Sequence, residues 1–215
     1  MKPSSPVPGW EIHPSRAGQS PDLSQDRAMR TRAKILLCAA ELFAEHGFKG
    51  TSVQDVATRI GMTKGAVYFH FPSKDLLAVA VVEGHYARWS VLLEGVRAQR
   101  LGALDTAMAV LDGAADAFAH DIVVQAGARL QIENSLIGLP LPTPYAGWIE
   151  LMTLLFSEAQ DAGELRAGVD PAAVARVFVT GFFGMQHVSA TLHQRKDMDE
   201  RWAELRELVL FAVRA

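Results

Sequence analysis

Residues 31–77 read TRAKILLCAAELFAEHGFKGTSVQDVATRIGMTKGAVYFHFPSKDLL, and this stretch decides the fold. Ile35, Cys38, Ala39, Leu42 and Phe43 recur at i, i+3, i+4, i+7 and i+8, one face of an amphipathic helix. Gly47 supplies a stop. Ser52, with Asp55 three residues on, opens a second helix in the manner of a capping box, and Val53, Val56, Ala57 and Ile60 give it a buried stripe. Gly61-Met62-Thr63 is a tight turn, with Thr63 as N-cap of a short third helix. Phe71-Pro72-Ser73 ends that helix, and Ser73 caps a fourth reaching about Arg97. Two short helices across a tight turn are the geometry that lays one helix in the major groove of DNA.

Charge supports that expectation once it is divided along the chain. Residues 27–75 carry eight Lys/Arg against four acids, a net +4, whereas residues 76–215 carry eleven against seventeen, a net −6. A basic head therefore precedes an acidic body, and only one end suits phosphates. Residues 1–26 hold half of the ten prolines, show no sustained periodicity and are expected to be a disordered tail, with Trp10 and Ile12 as isolated apolar residues. Residues 27–74 are then the helix-turn-helix domain and residues 75–215 a ligand-binding and dimerisation domain. In that second part helices are expected over 103–119, 122–137, 144–162, 171–194 and 197–213, with no period-2 strand pattern. The fold class expected is all-α.

Other classes fit poorly. The seven histidines show no metal-ligand spacing, and no glycine-rich phosphate loop is present, so neither an enzyme, a cofactor nor a metal is expected. No run approaches the ~20 apolar residues of a membrane span. The N-terminal stretch lacks an apolar signal region, and the single Cys38, on the apolar face of the first helix, reads as a core thiol. Both suit a cytoplasmic protein without membrane partners.

Within the third helix, Lys64 is an exposed cation and Gly65 permits close backbone approach. Ala66 is small enough to touch a thymine methyl, and Tyr68 and His70 can donate to phosphates. Lys74 offers another phosphate contact at the start of the next helix, and Thr51 and Thr63 complete the candidate set. Val67 and Phe69 are expected in the core. In the second part, polar-tipped aromatics and amides stand out: Tyr86 and Trp89, Gln131, Tyr145 and Trp148, and Gln186. Leu130, Ile132, Leu136 and Ile137 are expected to bury Gln131, whose amide then needs a partner. A structural hydrogen bond and a small ligand with a carbonyl or hydroxyl both satisfy that need. Gly181 and Gly184 sit in an apolar helix that suits close helix approach, as a plain core helix or at a dimer seam.

GMTKGAVYFHFPSKDLL at 61–77 closely resembles the signature of the TetR family of bacterial repressors, through Gly61, Thr63, Gly65, Val67, Tyr68, His70, Phe71, Ser73, Lys74 and Leu77. Ala40, Leu42, Phe43, Gly47, Thr51, Val53 and Ala57 match upstream, so about fifty residues carry the likeness. The resemblance implies an all-helical homodimer of nine or so helices per subunit, released by a ligand from a palindromic double-stranded operator. Residues 129–152, RLQIENSLIGLPLPTPYAGWIELM, further resemble the γ-butyrolactone receptors of Streptomyces, in which a Trp at the place of Trp148 packs over the autoregulator. That subgroup implies a lactone or a 2-alkyl-4-hydroxymethylfuran-3-carboxylic acid as the signal and control of antibiotic biosynthesis genes. A TetR-type regulator of efflux responding to broad hydrophobic compounds is the alternative.

Overall fold

The computed structural model describes residues 23–215; the N-terminal residues read as a tail, Trp10 and Ile12 among them, lie outside the described residues up to residue 22. Nine α-helices follow: α1 (Leu23–Gly50), α2 (Val53–Arg59), α3 (Lys64–His70), α4 (Lys74–Arg97), α5 (Ala103–His120), α6 (Ile122–Ile132), α7 (Ala146–Asp161), α8 (Pro171–His193) and α9 (Met198–Val213). Among the described residues there is no strand, only one bridge between Leu165 and Arg214. α1 begins at Leu23, inside the stretch read as tail. α6 stops at Ile132, five residues short of expectation, and a 3-10 turn at Asn134–Leu136 follows.

The chain packs as two units. Of the described residues, one unit comprises those up to Arg88 with Asp121–Pro142; the other comprises Trp89–His120 with Thr143–Ala215. α6 therefore packs with the helix-turn-helix, chiefly on α1, rather than with the remainder of the acidic half.

In the first unit the sequence periodicity becomes the core. Ile35, Ala39 and Phe43 of α1, Val56 and Ala57 of α2, Val67 of α3, Leu77, Ala78, Val81 and Val82 of α4, and Val124 and Leu130 of α6 are fully buried. Each such Ile, Val, Leu or Phe side chain contributes about 1.5–3 kcal/mol by leaving water, and each alanine methyl about 0.8 kcal/mol. Ser52 and Asp55 form the expected reciprocal capping box. Thr63 Oγ1 accepts from Ala66 N–H at 3.2 Å and Ser73 Oγ from Leu76 N–H at 3.0 Å. At Gly47 the backbone turns to φ 71°, ψ −177°, which bends α1 near its end and which a side chain would strain. By length and average hydropathy alone α4 would suffice to cross a membrane, but Glu83, Arg88 and Glu94 interrupt its apolar runs, and its buried Leu77, Ala78, Val81 and Val82 make it a core helix.

In the second unit α7 packs on α5 and α8, and α8 on α9. Asp170 caps α8 ahead of Pro171, whose missing N–H costs nothing at a first turn. Phe156 stacks on Phe178 with centroids 5.4 Å apart.

Candidate functional site

α3 is anchored by one side chain, Val67, which is 0 % exposed. At 100° per residue the opposite direction is that of Gly65 and Phe69. Phe69 is 82 % exposed, so its expected place in the core is wrong: two residues from Val67 on a helix, it cannot share Val67's face. Tyr68 and Lys64 flank that outer face, with Lys64 Nζ 5.6 Å from the Tyr68 ring centroid. A Cβ at Gly65 would meet nothing within 4 Å, so the protein's own packing does not require glycine there.

Two candidates have partners within the head itself. Thr51 is 2 % exposed and its hydroxyl donates to Leu42 O at 3.1 Å, which ties α2's entry to α1 instead of facing a phosphate. Lys74 Nζ donates to Phe48 O at 2.9 Å and Thr51 O at 3.2 Å, and stands 4.0 Å over the Phe48 ring. Its charge is engaged as a pin inside the head. Sequence spacing cannot reveal either engagement, because both cross between helices.

The remaining candidates fall into the two units. In the first, Tyr86 and Gln131 are both buried, and Tyr86 Oη donates to Gln131 Oε1 at 2.7 Å. Ile132 and Leu136, expected to be buried with Gln131, are exposed, because α6 ends there and turns them outward. Beside Tyr86, the ring of His85 meets it edge-on at 5.3 Å and places Nδ1 3.0 Å from Val124 O. Burial drives the His85 pKa down to about 4 despite that hydrogen bond, so the ring is neutral near pH 7. A Cβ at Gly127 would lie 2.4 Å from His85 Cβ; only glycine lets α6 approach α4 this closely. Arg88 pairs with Asp121, whose other oxygen caps α6 by accepting from Val123 N–H at 2.8 Å.

In the second unit the aromatic candidates come together with two phenylalanines that the sequence reading passed over. Trp148 lies edge-on to Trp89 at 5.2 Å, and Phe118 is 5.7 Å from Trp89. Phe183 touches Tyr145 at 4.6 Å and Trp148 at 5.9 Å. Tyr145 is the N-cap of α7 at φ 66°, ψ −19°, a left-handed conformation that is uncommon for a bulky residue. Gln186 is 3 % exposed, and its Oε1 is buried with no hydrogen-bond partner. The spacing of Phe118 and Phe183 resembles ordinary core, so only three dimensions single them out. On α8 and α9, Val177, Val188, Leu192, Leu208 and Phe211 are exposed. Gly181 seats Leu205 of α9 in the same chain, with a hypothetical Cβ 3.1 Å from Leu205 Cδ1, whereas Gly184 faces open space.

Comparison with known proteins gives these arrangements a family. The profile of the bacterial regulatory proteins, tetR family, matches residues 35–81, and that of the tetracyclin repressor-like C-terminal domain matches residues 101–214. The chain belongs to the TetR family. This TetR-family regulator is 32 % identical over 184 residues to the A-factor receptor protein of Streptomyces griseus, covering 84 % of this chain and 63 % of that one. It therefore spans less than two thirds of that relative's length. A structure solved to explain control of antibiotic production by bacterial hormones is similar at 58 % identity and TM-score 0.80, over 87 % of this chain and 99 % of that one. The TetR family protein CprB from S. coelicolor A3(2) is similar at 28 % identity and TM-score 0.79, over 88 % and 91 % of the two chains. The relatives are regulators and receptors, and this regulator is no enzyme.

Proposed function

We infer that this regulator is a homodimeric repressor that holds a palindromic operator and is released by a small diffusible autoregulator, thereby controlling antibiotic biosynthesis genes in the cytoplasm. Thr63, Lys64, Gly65, Ala66, Tyr68 and His70 face the operator. Gly65 supports this reading, because glycine there serves no packing need of the protein itself. The exposed apolar side chains of α8 and α9 supply the dimer seam.

The candidate signal contacts are Trp89, Tyr145, Trp148 and Gln186 in one unit and Tyr86 and Gln131 in the other, each set by itself able to meet a small polar ligand. The observation that carries this reading is the orphaned, buried Oε1 of Gln186, an acceptor that awaits a donor. With Tyr86 bonded to Gln131 Oε1, the amide N–H groups of Gln131 remain for an acceptor on the ligand. A 2-alkyl-4-hydroxymethylfuran-3-carboxylic acid offers a hydroxyl donor, a carboxylate acceptor and an alkyl chain for the rings. A hydroxylated γ-butyrolactone offers a hydroxyl donor, a lactone carbonyl in place of the carboxylate, and an alkyl chain, and the 58 % identity noted above supports a hormone as the signal. The Tyr145 backbone adds support, since strained conformations gather at ligand sites.

The test is release from DNA. Duplexes selected from a random pool by the purified protein are titrated with the furan and with a γ-butyrolactone. One of the two is expected to release the duplex at micromolar concentration, and Gln131→Ala to blunt release while duplex binding persists. Release by unrelated hydrophobic compounds, with neither candidate acting, would instead identify an efflux-type regulator.

A further inference from the structure

The bend at Gly47 breaks a helix at a costly place. In a continuing helix the Phe48 N–H would donate to Ala44 O and the Lys49 N–H to Glu45 O. Here the Phe48 N–H donates to Glu133 Oε2 at 2.6 Å. Arg129 Nη1 donates to Ala44 O at 2.9 Å and to Glu45 O at 3.1 Å. Arg129 Nε also bonds Glu133 Oε1 at 3.1 Å, so one ion pair on the last turn of α6 replaces what the bend removes. The fit is close: a Cβ at Gly47 would stand 2.5 Å from Glu133 Oε1. The carbonyl of Phe48 is gripped from α4 by Lys74. The elbow that leads into α2 and α3 is thus held at its N–H by α6 and at its C=O by α4.

Gln131 lies between Arg129 and Glu133 on that same turn, and Glu133 is the residue where α6 ends, at φ −88°, ψ 15°. A helix end is where a small change of winding turns a side chain furthest. We propose that Arg129 and Glu133 are positioning residues for the recognition helix, and that the signal acts through them. A ligand that engages Gln131 shifts the last turn of α6, Glu133 leaves the Phe48 N–H, and the elbow loses the geometry that presents α3. This rests on the reading of Gln131 as ligand-facing. The differential binding that drives the shift is the ligand's preference for the turn in its released position.

The full-length protein tests this with the selected duplex, the synthetic furan and amide hydrogen exchange. Glu133→Ala is expected to weaken duplex binding roughly tenfold, within the usual range of coupling between sites. Its affinity for the furan, read by tryptophan fluorescence, is expected to rise, because loss of the clasp favours the released turn that the ligand prefers and the coupling is reciprocal. Glu133→Gln, which keeps an acceptor, is expected to recover most of the duplex affinity, whereas Glu133→Met, of similar size but with no oxygen to accept from the Phe48 N–H, is expected not to. In the wild type, furan binding is expected to speed exchange at the Phe48–Thr51 amides. Wild-type duplex affinity in Glu133→Ala would overturn the proposal, and so would unchanged exchange at Phe48–Thr51 with the furan demonstrably bound. If the furan does not bind at all, the ligand reading falls, while the duplex affinities of Glu133→Ala and Glu133→Gln still decide the clasp.

Discussion

In the unit built from α1–α3, α6 and the first part of α4, polar groups are paired from helix to helix: Tyr86 with Gln131, Arg88 with Asp121, Glu133 with Phe48, Lys74 with Phe48 and Thr51. In the unit built from the rest of α4, α5 and α7–α9, rings meet rings, and Ser90 Oγ, Gln160 Oε1 and Gln186 Oε1 are buried without partners. Directional bonds permit few arrangements, so the first unit is suited to discrete states of the DNA-reading face. Ring contacts tolerate small displacements and leave polar atoms for a guest, which suits the second to receiving a ligand. The two units differ in the type of contact and not in their helices, which are alike in both.

The comparison can be broken or sharpened by substitution. Phe118→Ala removes a fully buried ring that touches Trp89, Phe182 and Phe183, and should cost about 3–5 kcal/mol in chemical denaturation. A cost near 1 kcal/mol would show that the aromatic unit collapses around the gap and is softer than its burial implies. Gly127→Ala forces a methyl against His85 and should cost about 1–3 kcal/mol, less some gain in helix propensity. A gain in stability instead would mean that α4 and α6 are free to part.

Acidification probes the same contact. Because the folded-state pKa of His85, about 4, lies below its ordinary value of 6.5, the unfolded chain binds the proton more readily. The stability that neutral His85 provides is complete above pH 6.5 and is lost as pH falls towards 4, with roughly 2 kcal/mol gone by pH 5. His85→Gln should flatten this part of the melting-temperature profile; an unchanged slope would place the titration elsewhere. The smallest effect is expected at Phe69→Ala. An exposed ring contributes within about 0.5 kcal/mol to stability, so its melting temperature should match wild type.

Much of the first unit was legible in the chain. The apolar spacing from Ile35 to Phe43, the Ser52–Asp55 box and the Thr63 cap act within one helix or one turn and are seen, whereas Gly47, expected as a stop, bends α1, which runs on to Gly50. Phe69 was misread although its position relative to Val67 already set it on the outer face. The internal partners of Thr51 and Lys74 could not be read, because Leu42, Phe48 and the elbow backbone come from elsewhere in the chain. The same holds for Glu133: its i,i+4 spacing to Arg129 suggests a surface ion pair, and nothing in sequence says that the pair reaches 85 residues back to Phe48. Tyr86 and Gln131 stood out as buried polar types, but that each is the other's partner is a fact of packing.

The sequence by itself determined the caps of α2 and α3, the apolar face of α1, and that a basic head precedes an acidic body, since caps, periodicity and charge act over a few residues. Only the tertiary structure decided that α6 belongs with the head, that Lys74 is a pin, that Phe69 faces outward, and that an ion pair completes the broken end of α1. Those outcomes depend on which backbone groups are left unsatisfied when helices meet, and that is settled by packing between segments far apart in the chain.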